Sequence, residues 1–527
     1  MLAAQNNHEK CLLALLKAGA AVDAAANNGF TALMLSAQKN HEMCLLELLK
    51  AGAAVDRAGS QGFTALMLAA QNNHEKCLIE LLKANADSNK AAEDGFTALM
   101  AAAQDGHEQC ALALLKAGAA VDATEEDGWT ALMLAAQDGH EQCALALLKA
   151  GAAVDHAAAN GATALMLSCA AGHEQCALAL IKAGANIEAA TPSGHNSLMY
   201  SCQNGHDSCT RVLIAAKADI EKRNDNVVTA LMISAEGGHE QCALELIKAG
   251  AAVDATEQDG YTPLMIACQD GHEQCLLTLI KAGAAVDKQG PQDATALIIA
   301  CQNGHEQCAL ELIKAGAAVD ATEEDGYTAL MEACDGGHEQ CALALIKANA
   351  NLEAALPSGR TSLEISLCKG HDSVIRVLMS YMSPFPDRVN LSLLPDATRT
   401  WVEEARMWSS PLHFVDVNPP DRTLSLLRNG ADIHHASRNG FPTPLHLALA
   451  KGGDSASLVL RASHPWSFGT HFLFPGCARR RAYDLFKIGR LLAASRFDGE
   501  ERAFLDAWDI VVMPHAIVRD EGEATSS

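Results

Sequence analysis

Residues 62–94 read GFTALMLAAQNNHEKCLIELLKANADSNKAAED, and close variants of this segment recur along the chain. Glycine returns on a 33-residue grid from Gly29 to Gly359 without a change of register, and Val227 and Asp293 fill the two positions that lack it. A regular period of about 20–50 residues is typical of repeat architectures. The period therefore predicts a stack of repeats and not one large core.

Each repeat reads as two short helices and a turn. Thr64 is a good helix N-cap, and the apolar Leu66 and Met67 follow at helical spacing. Cys77 and Leu81 then mark the apolar face of a second helix, which ends at a Lys followed by Gly or Asn. The polar residues that follow make the turn into the next repeat.

These motifs resemble the ankyrin repeat. The family's signatures are present as Gly260-Tyr261-Thr262-Pro263-Leu264, Gly139-His140 and Gly430-Ala431-Asp432, although most repeats carry Ala in place of Pro and Met in place of His. The resemblance is strong over about residues 1–380 and weak over 408–495. It implies an all-α repeat solenoid, in which helix-turn-helix units alternate with finger turns and a concave face binds other proteins.

Composition narrows the class of partner. The chain has 527 residues and a net charge of −25, which argues against nucleic acid and anionic membranes as partners. No apolar run reaches membrane-spanning length, and the start of the sequence does not resemble a signal peptide. We therefore expect an intracellular protein of the cytoplasm, with the nucleus as an alternative.

Cysteine and histidine each recur at fixed positions of the repeat. Eleven of the 18 cysteines recur from Cys11 to Cys341, each three residues after a His, which resembles a ladder of metal sites. Val374 takes the Cys position in the next repeat, so a small buried apolar side chain is the preferred interpretation. We expect the histidines to bond backbone groups, and we expect no metal and no cofactor. Helix spacing argues against disulfides between repeats, and so many free thiols indicate a reducing compartment.

The position between the turn glycine and the cap Thr is rich in aromatic residues, although the whole chain is only 4% aromatic. We call this position the aromatic column. Its members are Phe30, Phe63, Phe96, Trp129, Ala162, His195, Val228, Tyr261, Ala294, Tyr327 and Arg360. The resemblance implies that it lies near the finger turns and grips partners. The alternative is that these side chains only pack finger against finger.

Acidic residues precede the aromatic column, notably Glu125, Glu126 and Asp127. Beside aromatic side chains they would select a basic, partly apolar partner segment. An exposed acidic rim that only favours solubility is the alternative. Neighbouring repeats such as 105–123 and 138–156 are almost identical, which suits a repetitive partner.

The repeats do not cover the whole chain. Met1 aligns with Met34, so the first repeat is partial, and we expect the coding sequence to begin upstream. Residues 189–198 resemble 354–363, which indicates a duplicated block of five repeats. The predicted organisation is a regular array at 1–380, a linker at 381–407, diverged repeats at 408–497, a cap helix at 498–519 and a disordered tail at 520–527.

The sequence predicts a protein-binding scaffold and not an enzyme. The alternative is an adaptor or an enzyme whose activity resides in residues 381–527. That region contains no phosphate-binding Gly-rich Lys motif and no Gly-x-Ser-x-Gly, and Cys477 is its only cysteine. Its basic segment, 461–497, is interpreted as part of a capping subdomain.

Overall fold

The computed structural model describes residues 1–382 and, beyond them, residues 399–400, 403, 420–428, 431, 444–451, 454, 456 and 458–459. The chain divides into two compact units, Met1–Val286 and Asp287–Ser527. The described residues form helices, turns and isolated β-bridges, and no β-strand. The predicted all-α repeat solenoid is confirmed: helix-turn-helix repeats follow one another along the described part of each unit.

The helices of the first unit alternate between a short inner helix and a longer outer one. They are α1 Leu2–Gln5, α2 Glu9–Lys17, α3 Ala32–Gln38, α4 Glu42–Lys50, α5 Ala65–Gln71, α6 Glu75–Lys83, α7 Ala98–Gln104, α8 Glu108–Lys116, α9 Ala131–Gln137, α10 Glu141–Lys149, α11 Ala164–Ala171, α12 Glu174–Lys182, α13 Ser197–Gln203, α14 Asp207–Ala215, α15 Ala230–Glu236, α16 Glu240–Lys248, α17 Pro263–Asp270 and α18 Glu273–Lys281. A 3₁₀ turn, Ser60–Gly62, precedes α5.

The described part of the second unit continues the same alternation. Its helices are α19 Ala296–Gln302, α20 Glu306–Lys314, α21 Ala329–Gly336, α22 Glu339–Lys347, α23 Ser362–Lys369, α24 Asp372–Tyr381, α25 Pro420–Arg428 and α26 Pro444–Lys451. A 3₁₀ turn, Pro291–Asp293, precedes α19. Arg422 of α25 donates a hydrogen bond to the Ser380 carbonyl at 2.9 Å and lies over the Tyr381 ring, so α25 packs on the end of α24.

The predicted C-terminal organisation is described only in part. Helices α25 and α26 fall within the predicted diverged repeats, 408–497. The basic segment 461–497, the cap helix at 498–519 and the tail at 520–527 lie outside the described residues. These assignments stay predictions.

Most inner helices begin at the predicted Thr cap, and in α13 Asn196 takes its place. The Thr64 hydroxyl accepts a hydrogen bond from the Met67 N–H at 3.3 Å, and the Met67 sulfur accepts one from the Thr64 N–H at 3.5 Å. Thioether sulfur is a weak acceptor, but it satisfies an N–H at the helix start that would otherwise have no partner. The Met that replaces the expected His therefore preserves the helix start.

Most outer helices end as predicted, although Lys217 takes the positive-φ position after α14 and α24 ends at an extended Met382. Gly118 follows α8 with φ +88° and Asn85 follows α6 with φ +61°, so both adopt the left-handed conformation that ends a helix.

The helices between these ends are short, with seven residues in α5 and nine in α6. Helices of this length are not stable alone in water, so they depend on packing. Leu66, Met67 and Leu81 supply that packing and are at most 2% exposed.

The recurring histidines join neighbouring repeats. The His239 ring nitrogen Nε2 lies 3.0 Å from the Gln203 carbonyl, which can only accept, so this nitrogen donates. The same type of bond is formed by His41, His74, His107, His206, His272, His338 and His371. Bonding to the backbone is confirmed, but the carbonyl belongs to the preceding repeat. A β-carbon on Gly205, which has φ +74°, would overlap the His239 ring.

A second set of bonds between repeats was not predicted from the sequence. The carboxylate or amide oxygen of one residue per repeat accepts the backbone N–H 31 residues further on, at 2.6–3.0 Å. We call this set the carboxylate ladder. Its acceptors are Asp23, Asp56, Asn89, Asp122, Asp155, Glu188, Glu221 and Asp254 in the first unit and Asp287 and Asp320 in the second.

The bond made by His239 predicts the effect of Gly205→Ala. Gly184 also has a positive φ, +92°, but a β-carbon there would meet no atom within 4 Å, so Gly184→Ala is the matched control. Both variants lose stability through backbone strain, and Gly205→Ala also displaces the imidazole. We expect Gly205→Ala to cost about 1 kcal/mol more than Gly184→Ala in chemical unfolding. Equal losses would contradict the packing of glycine against histidine.

Candidate functional site

The aromatic column lies at the start of the inner helices, directly after a turn that an Asp, Glu or Asn side chain closes in several repeats. In one such turn the Asp94 carboxylate accepts the Phe96 N–H at 3.0 Å, and the Ala92 N–H donates to the Phe96 carbonyl at 2.8 Å. Thr97 then caps α7. Because the turn fixes the backbone on both sides of Phe96, it places the aromatic side chain beside the exposed turn residues.

The structure leaves the candidate side chains partly accessible. Phe30, Phe63, Phe96, Trp129, His195, Tyr261 and Tyr327 are half-buried, and Arg360 is exposed. The Phe63 and Phe96 rings are in tilted contact, with centroids 6.4 Å apart. Among the described residues no other two candidates are in ring contact. Phe63 and Phe96 thus contact each other from adjacent turns while keeping part of each ring open to solvent.

His195 differs from the other members of the column because it takes part in a polar network. Its Nδ1 lies 3.1 Å from the Ser193 hydroxyl, and its Nε2 lies 3.4 Å from the Asn224 side-chain nitrogen. The ring also packs at 5.9 Å from the Tyr200 ring. These contacts hold the imidazole in place on its turn.

The three acidic candidates are not equivalent. Glu125 is half-buried, and its carboxylate accepts the Trp129 N–H at 2.9 Å, as Glu257 does for Tyr261 at 2.8 Å. Glu126 and Asp127 are exposed, with their side chains at the surface of the turn. Glu125 therefore has a structural role in the turn, which the sequence analysis did not assign to it.

The cysteines lie in the cores of the repeats. Of the 17 described cysteines, all are free thiols, and Cys11 and Cys368 alone are exposed. Burial, with the charges of Glu42 and Glu80, raises the pKa of the Cys77 thiol to about 11. Within the described residues no group of three or more His, Cys, Asp or Glu could hold a metal ion.

Thiols of neighbouring repeats also act on one another. Cys209 of the next repeat, together with burial, raises the pKa of the Cys169 thiol. Cys202 acts on the pKa of the Cys242 thiol in the same direction. In both pairs one cysteine belongs to an inner helix and the other to the outer helix of the next repeat.

Burial and raised pKa together predict the pattern of thiol alkylation. With iodoacetamide at pH 8, we expect Cys11 and Cys368 to react at least tenfold faster than Cys77, since a thiol with a pKa near 11 is almost wholly protonated. Site-resolved mass spectrometry of the folded protein measures each rate. Labelling in denaturant is the control and should make the rates similar. Rapid labelling of Cys77 in the folded protein would contradict the buried assignment.

Glu332 is an acidic residue that the sequence analysis missed. It lies in the first turn of α21, and its side chain is only 9% exposed. Burial, followed by the charges of Glu323 and Asp335, raises its pKa to about 7, and Lys369 acts in the opposite direction. The sequence did contain a signal, because the equivalent residues of the flanking repeats are Ile299 and Ile365.

The raised pKa of Glu332 predicts that the free energy of unfolding depends on pH. The folded chain holds the Glu332 proton more tightly than the unfolded chain, so this carboxyl lowers stability as pH rises from about 4.5 to 7. Above pH 7 its effect on stability no longer changes. Glu332→Ile removes the carboxyl. We expect the stability gained by this variant to grow between pH 4.5 and 8, by at most about 3 kcal/mol. Parallel unfolding series of both proteins measure it, and a pH-independent difference would contradict the assignment.

No helix in the described part of the chain combines the length and the apolar character needed to cross a membrane.

Comparison with known proteins gives two findings. A family model described as "Ankyrin repeats (3 copies)" matches residues 1–94, 66–158, 150–224, 198–290, 231–323 and 297–389, which together span more than half of the chain. Among solved structures, the human ASB11 ankyrin repeat domain is 27% identical and aligns with a TM-score of 0.38, covering 41% of this chain and 96% of that one. A search of curated proteins finds no match.

Proposed function

The chain belongs to the ankyrin-repeat family, and on that premise we propose that it is a non-catalytic scaffold that binds partner proteins through its finger turns and inner helices. Ankyrin repeats are generally protein–protein interaction modules. The family is also generally non-catalytic. The proposal assigns the binding to the aromatic column and to the exposed acidic residues beside it.

The partial exposure of the aromatic column is the observation that carries the proposal. The inner helices behind it are buried, as with Leu66 and Leu99 at 2% exposure or less, whereas Phe63, Phe96 and Trp129 stay half-buried. Large rigid side chains that are partly open to solvent supply binding energy at little entropic cost. The contact between Phe63 and Phe96 makes a continuous apolar strip across two turns.

The charges beside this strip indicate the chemistry of the partner. Glu126 and Asp127 are exposed on the turn that precedes Trp129, in a chain whose net charge is −25. A partner segment with both basic and apolar side chains complements such a surface, and opposite charge also speeds its association. The near-identical repeats suit a partner that is itself repetitive. A reducing compartment, the cytoplasm or the nucleus, is proposed because the described cysteines are free thiols.

The proposal predicts that Phe63→Ala, Phe96→Ala and Trp129→Ala in one chain reduce the recovery of specific partners at least tenfold. Each aromatic truncation at a binding face costs about 1–2 kcal/mol of binding free energy. Affinity purification from the native cell, followed by mass spectrometry, compares this variant with the wild type.

The chain offers its own controls for that experiment. Alanine stands at the same position in two folded repeats, as Ala162 and Ala294, so the truncations are compatible with the fold. Lys83→Ala with Lys116→Ala alters exposed residues at the ends of outer helices and should leave recovery unchanged. Unchanged partners for the aromatic variant would mean that the column only packs the fingers.

A further inference from the structure

Glu332 interrupts a column of apolar residues on the inner helices. The equivalent residue of the other full repeats is Leu, Ile, Ala or Tyr, and the two flanking inner helices, α19 and α23, both carry Ile there. α21 packs against both of these helices. A carboxyl at this position therefore replaces a side chain that the repeat elsewhere uses for packing. Packing does not require a carboxyl at this position, because Ile299 and Ile365 fill the equivalent positions of the two flanking repeats.

The Glu332 carboxyl lacks a partner of its own. It is 9% exposed, and within the described residues it forms neither a hydrogen bond nor a salt bridge. The nearby cation, Lys369, is already committed, because its Nζ lies 2.8 Å from the Asp335 carboxylate. A largely buried carboxylate without an ionic partner is costly, so a cation supplied from outside the chain would be favoured at this position.

The charged groups around Glu332 indicate the chemistry of a group that would bind there. Glu323 on the preceding turn and Asp335 on the same helix are acidic, and Lys369 at the end of α23 is the basic residue that acts on the site. The sequence of α19 contains no charged residue, and neither Glu339 nor Lys347 of α22 acts on Glu332. Three carboxyl groups therefore face one ammonium group. Tyr327, the half-buried aromatic column residue of this repeat, acts on the same Lys369.

We propose that Glu332, with Glu323, Asp335 and Tyr327, forms a subsite that binds one lysine or arginine side chain of a partner protein. The inference rests on the proposed protein-binding function and names the partner chemistry at one place on the inner-helix face. The incoming cation pairs with Glu332, and the tyrosine ring offers its face to the aliphatic stem or the charge. Pairing requires the carboxylate form, so binding releases a proton from Glu332.

The probe for this subsite is a library of random dodecapeptides displayed on phage and panned against the full chain at pH 8. We expect the selected peptides to share a lysine or arginine, and a synthetic copy to bind Glu332→Gln and Glu332→Ile about tenfold or more weakly than wild type. Replacing the peptide's arginine with citrulline, which has the same shape without the charge, should weaken binding to wild type equally.

Three further measurements separate the subsite from general effects. Glu353→Gln removes a charge from an exposed side chain after α22, away from the turn that precedes Tyr327, and should leave the affinity unchanged. Wild-type affinity should rise about tenfold from pH 6 to pH 8 as Glu332 ionises, and this rise should vanish in Glu332→Gln. The Glu332→Ile protein, which gains an apolar residue in an apolar column, should be at least as thermally stable as wild type.

The outcomes distinguish this inference from the proposed function on which it rests. Selected peptides that bind wild type and Glu332→Gln equally, or that carry no shared basic residue, overturn the subsite but leave a protein-binding face in place. Failure to select any peptide above background overturns both. A loss of affinity in Glu353→Gln as large as in Glu332→Gln also overturns the subsite, because it assigns the effect to net charge.

Discussion

A single repeat of this protein cannot form hydrogen bonds to all of its own backbone N–H and carbonyl groups, and the rest of the structure depends on that constraint. Helices of seven and nine residues end after two turns, so a large share of their polar groups lie at helix ends. Neighbouring repeats supply partners in both directions: His239 donates to the Gln203 carbonyl of the preceding repeat, and Asp122 accepts the Ala153 N–H of the following one. Apolar packing holds the repeats together, and these polar bonds fix the register at which they meet.

The fold was predictable because the rules that form one repeat are local and are then repeated. Thr64 caps its helix, glycine or asparagine ends the outer helix at positive φ, and Leu81 is buried, all as the sequence indicated. The identity of the carbonyl that accepts from each histidine was not predictable in the same way. Residues 36–37 positions apart in sequence meet only once two repeats are stacked, and that spacing is set by packing geometry.

The candidate site was predicted less completely. Resemblance to the ankyrin repeat implied a position near the turns for the aromatic column. Glu125 was interpreted as a surface charge, whereas its carboxylate closes its own turn. Glu332 was not predictable from positions at which one residue type recurs, because it is the only carboxyl at its position among the full repeats. The division after Val286 has no counterpart in the 33-residue period.

The carboxylate ladder has a direction. Each acceptor lies 31 residues earlier in the chain than the N–H that donates to it, as with Asp23 and Ala54. The histidines likewise donate to a carbonyl that lies earlier in the chain. A nascent chain leaving the ribosome thus presents these acceptors to the repeat being made. Each new repeat docks on a surface whose carboxylates and carbonyls already exist. The bonds of the carboxylate ladder can therefore form in the order in which the repeats are synthesised.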